Sequence, residues 1–303
     1  MLENATIIVG TDLTEVSRAA VEAAAGIAER FGARRLVLAH GVKEGGPLAS
    51  LTHGHQRAFD RAKEAIEAVE LQAGACEITR VVRSGPPARV VVEIAEEEQA
   101  ELIVLSSHGF GAVRRTVVGS VANAAVRAAR CPVLVVGPDR VGRGPVERVT
   151  AAVDMSPVSE RVVRSAMTFG CSYRAPVRLI SVCEAAGLLV DDAGGVDTGV
   201  TEAEVEEVRA QQRDALASYA EQGRSIDVEV ETELLEGDAP PDAILADVKR
   251  TSPSLLVIGT SGHDGWHRLV LGATADQVMC ESSCPVLIVP AEAPALEGCR
   301  SVA

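Results

Sequence analysis

One local pattern occurs twice in this chain, and the duplication restricts its possible folds more tightly than any bulk property. An apolar run, 102–105, leads into Ser106-Ser107-His108-Gly109, nine further residues and Gly119-Ser120; a second run, 255–258, leads into Gly259-Thr260-Ser261-Gly262, nine further residues and Gly272-Ala273. Each copy then reaches a Cys-Pro-Val-Leu-hydrophobic-Val segment, at 131–136 and 284–289. Gly109 and Gly262, Gly119 and Gly272, and Cys131 and Cys284 are each 153 residues apart. A single glycine loop is a weak signal, whereas two in the same flanking context define an internal repeat.

Short β-branched runs alternate with amphipathic stretches in both halves. The first half predicts strands at 6–10, 36–42, 77–83, 102–105 and 132–136, with helices at 14–31, 56–73, 87–99 and 121–130. The second predicts strands at 148–153, 177–183, 226–234, 255–258 and 286–289, with helices at 159–172, 202–222, 242–250 and 274–281. Gly32, Gly74 and Pro87 stand where helix ends and starts require them. Such alternation demands right-handed crossovers and a helix-covered sheet, so the fold class is α/β, two tandem doubly wound parallel-sheet domains. Domains are expected at 1–138 and 147–290. A linker at 139–146 overlaps the Gly/Pro-rich stretch 137–145, and 291–303 reads as a loose tail.

The formal charge of −14 repels polyphosphate backbones, and aromatic residues at 2% of the chain offer few stacking platforms, so nucleic acid is not an expected partner. With no charged and apolar leader and no apolar run of about 18 residues, neither secretion nor membrane spanning is expected, and the location reads as cytoplasmic. Seven cysteines (Cys76, Cys131, Cys171, Cys183, Cys280, Cys284 and Cys299) fit reduced thiols. Cys280 and Cys284 could share a helix face but have no second pair, and no metal site is expected.

In an open parallel sheet, ligands collect at the carboxyl ends of the strands where the topology switches sides, and both glycine loops sit at such an end. Gly109 and Gly262 lack a Cβ, so backbone can approach a ligand closely. Gly119-Ser120 then opens a helix whose N–H groups and positive dipole end suit phosphate, with the Ser120 hydroxyl as a helix-capping further donor. No Gly-Lys-Ser or Gly-Lys-Thr is present, and no Gly-x-Gly-x-x-Gly follows the first strand, which excludes the common phosphate-loop classes. The plainer reading is that these glycines only permit a tight strand-to-helix turn. Asp12 and Asp154 follow the first strand of their halves, where a carboxylate can accept from ribose hydroxyls or simply favour a helix start.

Other polar groups carry less. His53 and His55 lie in a loop without a carboxylate or Cys at ligand spacing. His108 and His263 flank the glycine loops at non-equivalent positions and read as phosphate-side donors or solvent-facing groups rather than general bases. Arg114, Arg115 and Arg268 either offset phosphate charge or form a solvated loop face.

On the paired glycine loops, the aspartate after each first strand, the Gly85-x-Pro87 segment and the Cys-Pro-Val-Leu final strands, the whole chain resembles a tandem universal stress protein. The resemblance implies two five-stranded, adenine nucleotide alpha-hydrolase-like domains packed as an intrachain pseudo-dimer through 132–136 and 286–289. It leaves homodimerisation through the same surfaces open. It further implies an adenine nucleotide, ATP, with or without magnesium: adenine read by backbone groups of the early strands, ribose near the first Asp, phosphates on the glycine loop. The matching positions in the first half are Thr11, Asp12, Gly41, Ser106, His108, Gly109, Gly119, Ser120 and Val121. In the second half they are Val153, Asp154, Val182, Gly259, Gly262, Gly272, Ala273 and Thr274.

Each half departs from the family pattern once. Ser106 replaces the first glycine, adding a side chain where backbone approach to the ligand is expected. Ala273 replaces a Ser or Thr, which removes one hydroxyl donor; a neutral hydrogen bond contributes about 1 kcal/mol, and Thr274 could partly restore it. The implied role is regulation or signalling in the stress response through nucleotide occupancy, since no nucleophile–base–orienter set stands out. The alternatives are a nucleotide-independent interaction module of the same fold and a slow ATPase with Asp12 or Asp154 holding a metal on the phosphates.

Overall fold

Strands that are apolar on both faces require helices above and below, and the strand segments of this chain meet that demand. In the computed structural model, which describes residues 4–43, 54–107, 119–137, 146–184, 201–260 and 271–296, every position of β1 (Thr6–Gly10) is buried. The first half continues through α1 (Glu15–Phe31), β2 (Arg35–Val42), α2 (Gly54–Glu67), β3 (Glu77–Ser84), α3 (Pro87–Glu97), β4 (Leu102–Ser106), α4 (Ser120–Ala128) and β5 (Val133–Val136). The second repeats it as β6 (Val149–Ala152), α5 (Ser159–Tyr173), β7 (Val177–Cys183), α6 (Glu202–Arg224), β8 (Val230–Glu236), α7 (Pro240–Thr251), β9 (Leu255–Gly259), α8 (Ala273–Glu281) and β10 (Val286–Val289).

All ten strands form one sheet in the order β3-β2-β1-β4-β5-β10-β9-β6-β7-β8, parallel except at its centre. There β5 and β10 run antiparallel with Leu134 opposite Leu287, two residues 153 apart, so a pseudo-twofold axis passes between equivalent positions. The final strands thus pair within the chain as expected. That pairing joins the edge strand of each half to the other. Beside the seam, Asn123 Nδ2 and Arg127 donate to Asp276 Oδ1 at 3.0 and 3.1 Å, and Asn123 and Asp276 are again equivalent positions. Helices α1, α2, α5 and α6 cover one face of the sheet, and α3, α4, α7 and α8 the other.

The first face has its own inter-half contact. Phe31, at the end of α1, packs edge-on against Phe169 and Tyr173 of α5, with ring centroids 5.2 and 5.9 Å apart, and Arg30 lies over the Tyr173 ring. Burial pushes the Tyr173 phenol up to about 12, although the nearby Arg30 charge works against it.

Three boundaries differ from expectation. Helix α2 stops at Glu67 rather than 73, because Arg80 donates to the Ile66 and Val69 carbonyls and caps the last turn. Strand β8 begins at Val230 rather than 226: α6 runs on to Arg224, and Asp227 takes a left-handed φ of 57° that turns the chain first. Residues 291–296 are not loose. Ala293 and Leu296 are buried, and Leu296 bonds through its backbone to Ser165 and Thr168 of α5. The expectation of reduced thiols also fails at Cys171, which is disulfide-bonded; Cys76, Cys131, Cys183, Cys280 and Cys284 carry thiols.

The halves diverge most under α7. Arg178 of β7 forms a two-pronged pair with Asp247 and also bonds Glu233, while Arg250 bonds both acids. The Arg178 and Asp247 side chains are only 8% and 2% exposed. Burial opposes the Arg178 charge, yet hydrogen bonds to Asp247 and Glu233 outweigh it and hold the guanidinium above its usual range. Strand register places Arg178 and Glu233 where the first half has Val37 and Val81, and Asp247 of α7 stands at the repeat spacing of 153 residues from Ile94 of α3, so all three replace apolar residues.

A buried ionic cluster is costly to break and cheap to replace as a whole. Asp247→Ala is expected to destabilise the protein by about 3–5 kcal/mol in chemical denaturation. The combined Arg178→Val, Glu233→Val and Asp247→Ile protein should stay within about 1 kcal/mol of wild type or exceed it. A combined variant as unstable as the single one would show that the cluster is net stabilising. A smaller effect is expected at the end of α5, where Arg174 holds φ 55° at the position Gly32 occupies with φ 62° at the end of α1. Arg174→Gly should raise stability by about 0.5–1 kcal/mol in the same assay.

Candidate functional site

In each half the chain leaves the first strand in one direction and the fourth lies on the other side of it, so the carboxyl ends of β1 and β4, and of β6 and β9, flank a switch point. The first-half edge begins at Thr11, whose N–H donates to the Ala39 carbonyl at 3.0 Å. Its hydroxyl lies 2.9 Å from Ser17 Oγ and accepts from Leu13 N. Asp12 Oδ1 accepts from Thr14 N at 3.1 Å and Thr14 Oγ1 at 2.6 Å, closing an Asx turn into α1. His40 Nδ1 lies 2.8 Å from the Thr11 carbonyl.

The second-half edge is built alike. Val153 N donates to the Ile180 carbonyl, and Asp154 Oδ1 accepts from Ser156 N and Ser159 Oγ, both at 3.0 Å. Leu13 and Met155, one after each aspartate, both hold left-handed φ, 63° and 61°. Side chains there cost about 1–2 kcal/mol, so each carboxylate is aimed by a strained turn that two halves have kept. The Tyr219 phenol of α6 is held neutral to higher pH by burial and by the field of Glu160 and Asp154.

The two glycine loops have identical roots. Ser107 N donates to the Val136 carbonyl and the Ser107 carbonyl accepts from Gly119 N at 2.5 Å; Thr260 N donates to Val289 and its carbonyl accepts from Gly272 N at 2.7 Å. Each loop is therefore tied off where it leaves its strand and enters its helix. His108, Gly109 and Gly262 lie outside the described residues, as do Arg114, Arg115, His263 and Arg268. Gly119 and Gly272 are the N-caps of α4 and α8, both with φ −59° and no side-chain cap. Ser120 is consequently the first helical residue and not the cap expected for it, as is Ala273 in the second half. With a glycine cap, the first-turn N–H groups at Ser120, Val121, Ala273 and Thr274 have no side-chain acceptor from the cap position.

Two glycines also serve packing. A Cβ on Gly41 would meet Pro87 Cα at 2.6 Å, so β2 needs a glycine there to lie against the start of α3. At the matching position Val182 has a side chain, and its carbonyl accepts from Gln212 Nε2 at 3.3 Å. A Cβ on Gly259 would meet Val158 Cγ1 at 2.6 Å, on the helix side. The equivalent Ser106 points the same way and donates to the Val16 carbonyl of α1 at 3.3 Å. The Ser106 departure therefore adds its side chain against α1.

Sequence reasoning missed Thr14, Ser17, Ser156 and Ser159, the hydroxyls that hold the turn. Asp-x-Thr at 12–14 and Asp-x-Ser at 154–156 are Asx-turn spacings and could have revealed them. It also missed Thr260, which the chain beyond β10 grips through Ala291 N. Because the half-space toward α5 is filled, Gly259→Ser is expected to cost about 1–3 kcal/mol in denaturation, while Ser106→Gly should cost under about 1 kcal/mol. Equal losses from the two would contradict this account of the first loop residue.

The universal stress protein family model matches residues 3–137 and again 145–290. Universal stress protein Rv2005c of Mycobacterium tuberculosis is 33% identical over 204 residues, 67% of this chain and 65% of that protein, so the match spans just under two thirds of that relative. A universal stress protein of Mycolicibacterium smegmatis is 28% identical over 307 residues, covering 95% of this chain and 99% of the relative. The crystal structure of a universal stress protein from Archaeoglobus fulgidus is similar in fold, with a TM-score of 0.64 at 18% identity over 95% of this chain and 97% of that one.

Proposed function

This chain belongs to the universal stress protein family, and we propose that it binds ATP at the switch points of its sheet and acts in the cytoplasm as a regulatory protein whose nucleotide occupancy carries a stress signal. The observation that carries this reading is the construction at each strand edge: a loop tied off by Gly119 N or Gly272 N and a helix start capped by glycine, beside an aspartate held by a strained turn. The donor set fits the ligand. Open N–H groups at a helix start favour phosphate oxygens. Asp12 and Asp154 each use Oδ1 in the turn, which fixes the carboxylate as an acceptor for ribose hydroxyls. Magnesium would neutralise phosphate charge without requiring a protein ligand.

The two sites are unequal. The Val182 carbonyl, an expected adenine-reading group, already accepts from Gln212, and Ala273 has no hydroxyl, so the first half is the tighter site. The reading is binding rather than catalysis, because no nucleophile–base–orienter set stands out in the sequence. Among the described residues no helix is long and apolar enough to cross a membrane.

Isothermal titration with Mg-ATP should give micromolar-range binding. Asp12→Ala, which removes a charged acceptor worth about 1.5–3 kcal/mol, should weaken the first-half site about tenfold or more. Gly119→Val should weaken it without disturbing the Asx turn, and Asp154→Ala should leave the tighter site intact. An absence of heat and of thermal stabilisation at millimolar ATP would overturn the proposal.

A further inference from the structure

The two halves differ at the helix that leans over the carboxyl end of the second strand. Two pairs of buried residues, Ala62 with Leu216 and Ile66 with Ala220, align α2 with α6 at a spacing of 154 residues. Arg209 then falls at His55, and Gln212 at Ala58. The neighbours agree: His55 Nε2 lies 2.8 Å from Ser84 Oγ, Arg209 pairs with Glu236 at 3.0 Å, and Ser84 and Glu236 stand at equivalent register positions, opposite Val42 and Cys183. Gln212 therefore has an apolar counterpart.

The Val182 carbonyl, which Gln212 holds, points into the second switch point. Carbonyls alternate sides here: those of Pro176 and Ile180 accept from Val149 N and Val153 N on the β6 side, whereas that of Cys183 accepts from Gly237 N on the β8 side. Val182 carries the next carbonyl toward β6, two residues past Ile180, where β6 has already ended at Ala152. It overhangs the gap that the Asp154 turn borders.

Gln212 Nε2 donates to this carbonyl at 3.3 Å. Two acceptor oxygens facing each other repel, so the carbonyl fixes which end of the amide turns toward it. Oε1 is left facing away from Val182, buried and with no hydrogen-bond partner among the described residues. An unpaired buried acceptor costs free energy, which the donor of a ligand recovers. One turn earlier on the same face of α6, Arg209 Nε is a buried donor in the same condition. An orphaned acceptor and an orphaned donor on one helix face complement a base edge that carries an amino group beside a ring nitrogen, the pattern of adenine N6 and N7.

Resting on the reading that nucleotide binds at the second switch point, we propose that Gln212 reads the base there: it relays the Val182 carbonyl outward and selects 6-aminopurine over 6-oxopurine nucleotides. Oε1 accepts from the 6-amino group. A 6-oxo group sets a second oxygen against it, and the amide cannot turn over, because turning would face Oε1 to the Val182 carbonyl. In the first half Ala58 has no polar group to offer, so this reading belongs to one site alone.

The test titrates Mg-ATP and Mg-inosine triphosphate, which has a 6-oxo group in place of the 6-amino group, into the full chain. Amide exchange at 272–275 and at 119–122 reports the two sites separately. Half-protection at 272–275 should need about tenfold or more of the inosine nucleotide than of ATP. Gln212→Met keeps the length of the side chain and still covers the Val182 carbonyl but has no comparable acceptor, so it should reduce that ratio to under about threefold and leave 119–122 unchanged. The wild-type chain decides the matter even where the variant does not fold: equal responses of 272–275 to the two nucleotides overturn the proposal and leave ATP binding standing. A ratio unchanged in Gln212→Met overturns it as well. No response at 272–275 to either nucleotide removes the ATP reading of that site, and the proposal falls with it.

Discussion

The antiparallel pairing of β5 with β10 is the contact on which the rest of the molecule depends. Each half is a parallel sheet that ends in a short apolar strand, and such an edge exposes a row of backbone donors and acceptors beside hydrophobic side chains. Joining the two edges within one chain removes both at once and makes a single ten-stranded sheet. The same operation brings α4 against α8 and α1 against α5, so Asn123 meets Asp276 and Phe31 meets Tyr173 at equivalent positions of the repeat. It also leaves both switch points clear of the seam, each with its own loop and aspartate.

Once covalently joined, the halves were released from having to be identical. The second half replaces an apolar trio, Val37, Val81 and Ile94, by Arg178, Glu233 and Asp247, and replaces Ala23 and Gly26 by the hydroxyls that bond Leu296. At the sites the divergence is smaller and of another kind. The strained turn, the tied-off loop and the glycine cap persist in both copies, whereas the groups around them, Gly41 or Val182 and Ser120 or Ala273, differ. What both halves keep is geometry of the backbone, and what they vary is the side chains that tune it.

Much of this was legible in the sequence because it rests on local pattern. The alternation of strands and helices and the position of Asp12 and Asp154 followed from periodicity and from the repeat, and the pairing of the final strands followed from the family resemblance. The features that were not legible depend on groups distant in sequence. The end of α2 is set by Arg80, which caps it from β3; the roles of Gly41 and Gly259 are set by Pro87 and Val158, which occupy the space a side chain would need. Residues 291–296 have no periodicity to read, and their order comes from Ser165 and Thr168 more than 120 residues earlier.

The central claim is that the helix starts at Gly119 and Gly272 are anion sites facing a fixed aspartate. Amide hydrogen exchange followed with and without Mg-ATP tests it at the atoms concerned. The account predicts increased protection at residues 119–122 on saturation, a weaker increase at 272–275 that needs more nucleotide, and little change in the seam strands β5 and β10. Unchanged exchange at both helix starts under saturating nucleotide would contradict it.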